Sequence, residues 1–267
     1  MRVMIYRFLS HVPHILFKPA YDLYEDYLLE RVKSGNMPKH VAIIMDGNRR
    51  WARKLEKPPW YGHYFGSQKL EEIIEWCIDL GIRTLTVYAF STENFKRKPE
   101  EVNALMNLFE QKFKELVEDE RIHRHGVRVN VIGRRDLLPE NVRKAIEEAE
   151  WATRKYSDFV LNVALAYGGR SEIADAVRDI VRDALEGKVK PEDVDEDLIK
   201  RYLYYPNMPD PDIVIRTGGE ERISNFLLYQ IAYSELFFVD VYFPEFRKID
   251  FLRIIREYQK RQRRFGR

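Results

Sequence analysis

One cysteine, Cys77, occurs in 267 residues. Its isolation excludes an intrachain disulfide and any metal cluster built on several thiolates, and the chain fits a reducing cytosol. The residue falls in the spacing Leu70, Ile73, Ile74, Cys77, Ile78, the apolar stripe of a helix, so a core thiol is expected there. An excess of either charge is also missing: 45 Lys and Arg stand against 43 Asp and Glu, a net charge of +2. That balance argues against a nucleic-acid binder acting through its overall field. Neither Gly-x-x-x-x-Gly-Lys-Ser/Thr nor Gly-x-Gly-x-x-Gly occurs, which weighs against a P-loop or dinucleotide-binding protein. No apolar run approaches the roughly 20 residues that span a bilayer. Internal repeats and low-complexity tracts are absent, and the length suits one large domain.

What is present begins with an unusual leading segment. Val3, Met4, Ile5, Phe8, Leu9, Ile15, Leu16 and Phe17 make it apolar, while Arg7, His11, His14 and Lys18 interrupt it. Arg7 breaks what would be the core of an export signal. Residues 1–35 therefore read as an apolar and basic extension with two readings open: a helix lying in a membrane interface, or an extra helix folded onto the domain formed by residues 36–267. In that domain six β-branched-rich apolar runs, at 41–45, 84–90, 127–132, 159–166, 213–215 and 237–242, alternate with amphipathic stretches at 68–80, 99–117, 139–155, 171–185 and 250–264. Continuous rather than alternating apolarity predicts strands buried on both faces. The fold class is α/β, a single domain with a central six-stranded, mainly parallel sheet surrounded by helices. Gly81 reads as a helix C-cap, and the charged stretch 186–197 as a surface connection.

In such sheets ligands bind at the carboxyl ends of the strands. The first strand feeds Met45-Asp46-Gly47-Asn48-Arg49-Arg50-Trp51-Ala52. Gly47 permits close approach of an anion and two guanidiniums supply bidentate charge. Asp46 belongs among phosphate-binding groups only if a cation bridges it to the phosphate, as Mg²⁺ commonly does. The later strands end in Ser91-Thr92-Glu93-Asn94-Phe95-Lys96-Arg97, Gly133-Arg134-Arg135, Gly168-Gly169-Arg170-Ser171 and Arg216-Thr217-Gly218-Gly219-Glu220-Glu221-Arg222-Ile223-Ser224-Asn225. So many Gly, Ser, Asn and Arg residues at one sheet edge predict a crevice for more than one phosphate group.

These blocks, with Gly62-His63-Tyr64-Phe65-Gly66, Tyr88-Ala89-Phe90 before Ser91, and Tyr233-Ser234-Glu235-Leu236, closely resemble the cis-prenyltransferases, the undecaprenyl diphosphate synthase family. The resemblance runs from about residue 40 to residue 264 in order and spacing. It implies head-to-tail condensation of isopentenyl diphosphate with an allylic diphosphate, farnesyl or geranylgeranyl, giving a long Z-polyprenyl diphosphate and pyrophosphate. It also implies Mg²⁺ as cofactor and a homodimer. A polyprenyl product partitions into membrane, which gives the apolar extension a rationale as a peripheral anchor of a cytoplasmic enzyme.

By resemblance, Gly47, Asn48, Arg49 and Arg50 cradle the allylic diphosphate with His63 beside it, Asp46 positions Mg²⁺, and Glu235 is a second metal-associated carboxylate near a partner subunit's site. Arg216, Arg222 and Ser224, with Ile223 between them, match the isopentenyl diphosphate positions. Ser91, Thr92, Glu93, Asn94 and Arg97 match the segment between the substrates, Asn94 at the position of the proton acceptor, although a neutral amide is a poor base. Trp51 and Phe95 match substrate contacts and also suit a core. Glu101 and Glu220 read as carboxylate partners of nearby arginines. The helix at 99–117, through Leu105, Leu108, Phe109 and Phe113, is the expected tunnel wall for the product. The pattern departs at Pro59, where many members carry arginine four residues before the histidine. That leaves an allylic-phosphate contact absent or supplied by Lys57 or Arg53, and predicts a stiff Pro-Pro-Trp loop. An alternative reading is the non-catalytic subunit of a heteromeric synthase. Such partners lack the metal-binding Asp, which this chain retains as Asp46.

Overall fold

The computed structural model describes residues 14–261, with side chains from residue 23 onward. Six strands, β1 (His40–Ile44), β2 (Thr84–Ser91), β3 (Val127–Ile132), β4 (Phe159–Tyr167), β5 (Ile213–Arg216) and β6 (Glu235–Phe238), form one sheet in the order β3-β4-β2-β1-β5-β6. Every pairing is parallel. Around the sheet lie α1 (His14–Lys33), α2 (Asn48–Lys54), α3 (Pro59–Asp79), α4 (Pro99–Glu118), α5 (Glu120–Arg124), α6 (Glu140–Thr153), α7 (Gly169–Leu185), α8 (Glu196–Arg201) and α9 (Lys248–Lys260). All five residues of β1 are buried, because helices cover both faces of a parallel sheet. From β1 the chain runs first to β2 on one side and later to β5 on the other, so the switch point of the topology falls at the carboxyl end of β1. Register puts Ile44 level with Tyr88 and Arg216, and Arg216 level with Phe238.

A line of mostly buried polar groups crosses the middle of the sheet. Asn130 donates to Asn162 (3.1 Å), Asn162 to Thr86 Oγ1 (3.1 Å), and Thr86 Oγ1 lies 2.7 Å from Nε2 of His40. The other ring nitrogen of His40 lies 2.6 Å from the Pro209 carbonyl, to which it must donate, since the carbonyl can only accept. Burial pushes the His40 pKa down to about 4, so the buried ring stays neutral. The extension is helical over the described part of α1 and docks on α9. Leu28 and Val32 join the main core, and Gln259 Nε2 donates to the Val32 carbonyl (2.8 Å). The final helix, expected to reach residue 264, ends at Lys260 with Arg261 extended, and residues 1–13 and 262–267 lie outside the described chain.

Three boundaries differ from those expected. Helix α3 begins at Pro59 rather than residue 68: Pro58 is the extended N-cap and Pro59 takes the first helical position, where its missing N–H costs nothing. The Pro-Pro-Trp stretch is a helix start, not a loop. Strand β6 spans 235–238 rather than 237–242. Beyond it the chain curls so that the carbonyls of Val239 and Val241 accept from Gly219 and Gly218. The connection at 186–197 contains a short 3-10 turn and the first residues of α8. Cys77 is wholly buried, as its spacing predicts.

Candidate active site

Strand β1 delivers Asp46 to the switch point, and two short bonds fix the backbone there. Asp46 N–H lies 3.1 Å from Thr217 Oγ1, whose hydroxyl donates to the Asp46 carbonyl (2.7 Å). Gly47 then turns the chain into α2 with φ of +103°, and a Cβ at this position would meet the Tyr242 ring at 2.7 Å. Only glycine suits both demands. The Asp46 carboxylate accepts from the Gly47 amide (2.6 Å) and from Arg216 Nη2 (2.8 Å), and Arg50 Nη2 approaches at 3.1 Å. Burial alone would raise its pKa, but the bond and charge of Arg216, with Arg50, outweigh that and hold the carboxyl below the ordinary range. Arg50 also reaches Glu220 (3.3 Å) and lies over the Tyr242 ring.

A second carboxylate does the same work across the crevice. Glu101, near the start of α4, accepts from Arg97 (2.9 Å) and pairs with Arg49 (3.3 Å), and its side chain is only 8% exposed. His63 Nε2 stands 3.8 Å from it, beyond hydrogen-bond reach. Burial, aided by the charges of Arg97 and Arg49, lowers the His63 pKa, so the ring is neutral at pH 7. At that separation a neutral His63 ring does little for Glu101, and the charges of Arg97 and Arg49 hold the carboxyl below the ordinary range. The side of α3 bearing His63 sits hard against α2: a Cβ on Gly62 would lie 2.0 Å from the Asn48 carbonyl oxygen.

The remaining loops interlock. Ser91 N–H donates to Asn94 Oδ1 (3.1 Å), closing the 3-10 turn Thr92–Lys96. Arg216, 4% exposed, donates to Ser224 Oγ (2.7 Å) and to the Arg222 carbonyl. Arg222 itself reaches outward to Glu220 (2.6 Å). Ser224, Asn225 and Leu227 all have positive φ, a cluster of backbone strain of the kind found at binding sites. Asn225 ties the pieces together: its side chain donates to Glu93 (3.0 Å) and accepts from Arg170 N–H (2.8 Å), while its carbonyl accepts from Gly169 N–H (2.7 Å).

A cavity of about 700 Å³ opens at this crevice. Asp46, Asn48, His63, Ser91, Asn94, Arg97, Arg216, Arg222 and Ser224 line it, and Leu105, Leu108, Phe109 and Phe113 of α4 continue it as the expected wall, with Ile74, Phe90 and Val163. At its other end stand Glu71, Asp119 and Arg121, the arginine paired with both carboxylates. Buried polar atoms without a partner concentrate at the mouth: Asn48 Oδ1, His63 Nε2 and Arg216 Nε. Such atoms are rare in folded proteins, and three of the five among the described residues meet here.

Of the other residues singled out in the sequence, Arg49, Arg50 and Glu93 border the crevice through the ion pairs and bonds just given. Thr92 shares the 3-10 turn, and Phe95 packs edge-on against Phe90 at 4.9 Å. Trp51 stacks on Tyr61 (5.9 Å), and Ile223 packs on a second apolar cluster with Phe226. Glu235 stands apart. It begins β6 level with Ile213, three residue steps or about 10 Å from the row of Arg216, and binds Arg261. Within one chain Asp46 and Glu235 occupy opposite ends of the sheet. Lys57 and Arg53 are exposed and do not line the cavity. Thr217, Tyr242 and Asn225 escaped the sequence reading as functional groups. Thr217 and Asn225 lay inside a quoted block, whereas nothing local marks Tyr242, which arrives from beyond β6.

A family model described as putative undecaprenyl diphosphate synthase matches residues 44–266. The tritrans,polycis-undecaprenyl-diphosphate synthase (geranylgeranyl-diphosphate specific) of Thermococcus kodakarensis is 85% identical over 264 residues, 99% of this chain and 100% of that protein. The protein of the same name from Pyrococcus abyssi is 79% identical over the same shares. Lavandulyl diphosphate synthase from Lavandula x intermedia, solved with dimethylallyl diphosphate, superposes with a TM-score of 0.81 at 36% identity, covering 86% of this chain and 99% of that one. The chain belongs to the undecaprenyl diphosphate synthase family, the cis-prenyltransferases.

Proposed function

We propose that this prenyltransferase condenses isopentenyl diphosphate with geranylgeranyl diphosphate to build tritrans,polycis-undecaprenyl diphosphate, the product and primer for which its relatives from Thermococcus and Pyrococcus are named. The observation that carries the reading is a pair of carboxylate-held arginine sets at the mouth of one cavity, which Asp46, Arg216 and Arg97 line directly. Arg50 and Arg216 rest on Asp46, and Arg49 and Arg97 on Glu101. Two diphosphates that replace the carboxylates as partners would satisfy all four guanidiniums.

In this reading Asn48, Arg49, Arg50 and His63 take the allylic diphosphate, and Arg216, Arg222 and Ser224 take isopentenyl diphosphate. Ser91, Asn94 and Arg97 lie between them. A lone carboxylate beside phosphate oxygens suits Mg²⁺, which takes one or two carboxylates and completes its shell with phosphate and water. Asp46 would hold the ion, and bound Mg²⁺ would neutralise charge on the departing diphosphate. Cleavage of the allylic C–O bond leaves pyrophosphate, the new C–C bond forms to the isopentenyl double bond, and a proton leaves the adjacent carbon. The Asn94 carbonyl oxygen already accepts from Ser91. The released pyrophosphate is the stronger base, so Asn94 is assigned to positioning. Glu235 is assigned to the site of a second chain, which the homodimer requires, and the product's apolar tail favours peripheral contact with membrane. Among the described residues, no helix is long and apolar enough to cross one.

The test incubates purified protein with Mg²⁺, labelled isopentenyl diphosphate and either farnesyl or geranylgeranyl diphosphate. Butanol-extractable polyprenyl product is expected, with preference for the geranylgeranyl primer, and Asp46→Ala abolishes it. Full activity in Asp46→Ala would sink the metal assignment, and no incorporation from any primer would sink the reading itself. A preference for the farnesyl primer would overturn the primer assignment alone.

A further inference from the structure

The surface beside the cavity mouth carries a patch that the condensation does not use. Every residue from Arg53 to Trp60, the tip joining α2 to α3, is exposed. Large apolar side chains stand out there: Leu55 is 45% exposed, Trp60 53% and Tyr64 39%. Behind them Trp51, Tyr61 and Phe65 form a half-buried ring stack, with Tyr61 and Phe65 centroids 4.7 Å apart and Trp60 edge-on to Tyr61 at 6.2 Å. Arg53, Lys54 and Lys57 punctuate the tip against a single acid, Glu56. Among the described residues no carboxylate pairs with these three cations. Tyr64 belongs both to the patch and to the wall of the cavity, so the patch is continuous with the route into the site.

We infer that this tip docks on an anionic lipid surface and sets the crevice mouth at headgroup depth, an inference that rests on the prenyl diphosphate reading for its purpose. Amphipathic rings flanked by Lys and Arg are what a membrane interface selects, with apolar bodies in the acyl boundary and polar edges in water. Unpaired cations add attraction to acidic headgroups, about fivefold in partitioning for each. A symmetric contact with a second copy is disfavoured by the same charges, because an isologous interface would set Arg53, Lys54 and Lys57 against themselves. Docked this way, a long-tailed primer reaches the cavity past Tyr64 without carrying its hydrocarbon through water.

Cosedimentation of the full chain with vesicles of equal parts phosphatidylglycerol and phosphatidylcholine tests this. Wild type is compared with the double variant Leu55→Ser, Trp60→Ser and with Lys54→Glu, and turnover of detergent-dispersed substrates and thermal unfolding are followed in parallel. The double variant is expected to bind vesicles at least tenfold more weakly. Lys54→Glu, a change of two charges at an exposed position that leaves folding intact, is expected to weaken binding about 25-fold in low salt. Detergent-dispersed turnover stays unchanged in both. Vesicle binding equal to wild type in both variants overturns the inference. A drop in solution mass in the double variant, with vesicle binding unchanged, overturns it in favour of self-association. A wild type that binds vesicles yet makes no polyprenyl product overturns the proposed function and leaves the docking surface standing.

Discussion

Glu101 shows how a site for anions is kept folded while no anion is bound. Arg49 and Arg97 converge on it at 3.3 and 2.9 Å beside a neutral His63, and without a counter-charge the two guanidiniums would repel. Removing the carboxylate has two opposed effects. The crevice gains one unit of positive charge, which favours anion capture, but Arg97 loses the bond that aims it. Glu101→Gln is therefore expected to bind inorganic pyrophosphate more tightly while kcat falls, each by about tenfold, the scale of one charged hydrogen bond. Steady-state kinetics with pyrophosphate as inhibitor reads both, and weaker inhibition together with unchanged kcat would refute the role. Asp46 holds its pair in the same way, and its depressed pKa means that it stays ionised through mildly acidic pH.

At the scale of elements, the site depends on how closely α3 lies on α2. A methyl group on Gly62 would strike the Asn48 carbonyl, which belongs to the turn that presents Arg49 and Arg50. Gly62→Ala is expected to cost about 1–3 kcal/mol, the usual range for overpacking, and to lower activity by a larger factor than its loss of stability predicts. Thermal melts beside initial rates separate the two effects. The 216–227 loop makes a complementary case. Asn225→Gly keeps the backbone conformation and loses the ties to Glu93 and Arg170, whereas Asn225→Ala loses the ties and adds strain at φ of +66°. Weaker binding of isopentenyl diphosphate is expected in both, with lower stability in the alanine variant, and equal KM to wild type in both would refute the coupling. Five of the six strands were legible as buried apolar runs, and the carboxyl-edge loops as their exits, because those signals are local. The first nine residues of α3 were hidden by two prolines that read as a break and act as a start. The sixth strand was misplaced because Val239, Val241 and Tyr242, apolar like strand residues, serve a turn over Gly218 and Gly219. The ring of Tyr242 under Arg50, like the wide separation of Glu235 from Asp46, depends on pairing between distant strands that no local pattern encodes.

At the scale of the whole molecule, the buried polar line from Asn130 to His40 makes stability depend on pH. His40 titrates near 4 in the folded chain and near 6.5 when unfolded, so between those values the unfolded state holds the extra proton. Its contribution is complete above pH 6.5 and falls through this window by about 3 kcal/mol, reaching its floor near pH 4. Denaturant unfolding between pH 4 and 7 should show that slope, and His40→Gln should flatten it. An unchanged slope in the variant would assign the proton elsewhere. The cavity has a consequence of a different kind. Its mouth is charged and its depth apolar, so the diphosphate head stays at the crevice while each added five-carbon unit pushes hydrocarbon inward, worth about 0.8 kcal/mol for every methylene-sized group buried. Escape of an intermediate therefore slows steeply with every round until the space is filled. Processivity follows from the shape of the cavity alone: short intermediates should be scarce at every time point, and the product distribution should be narrow.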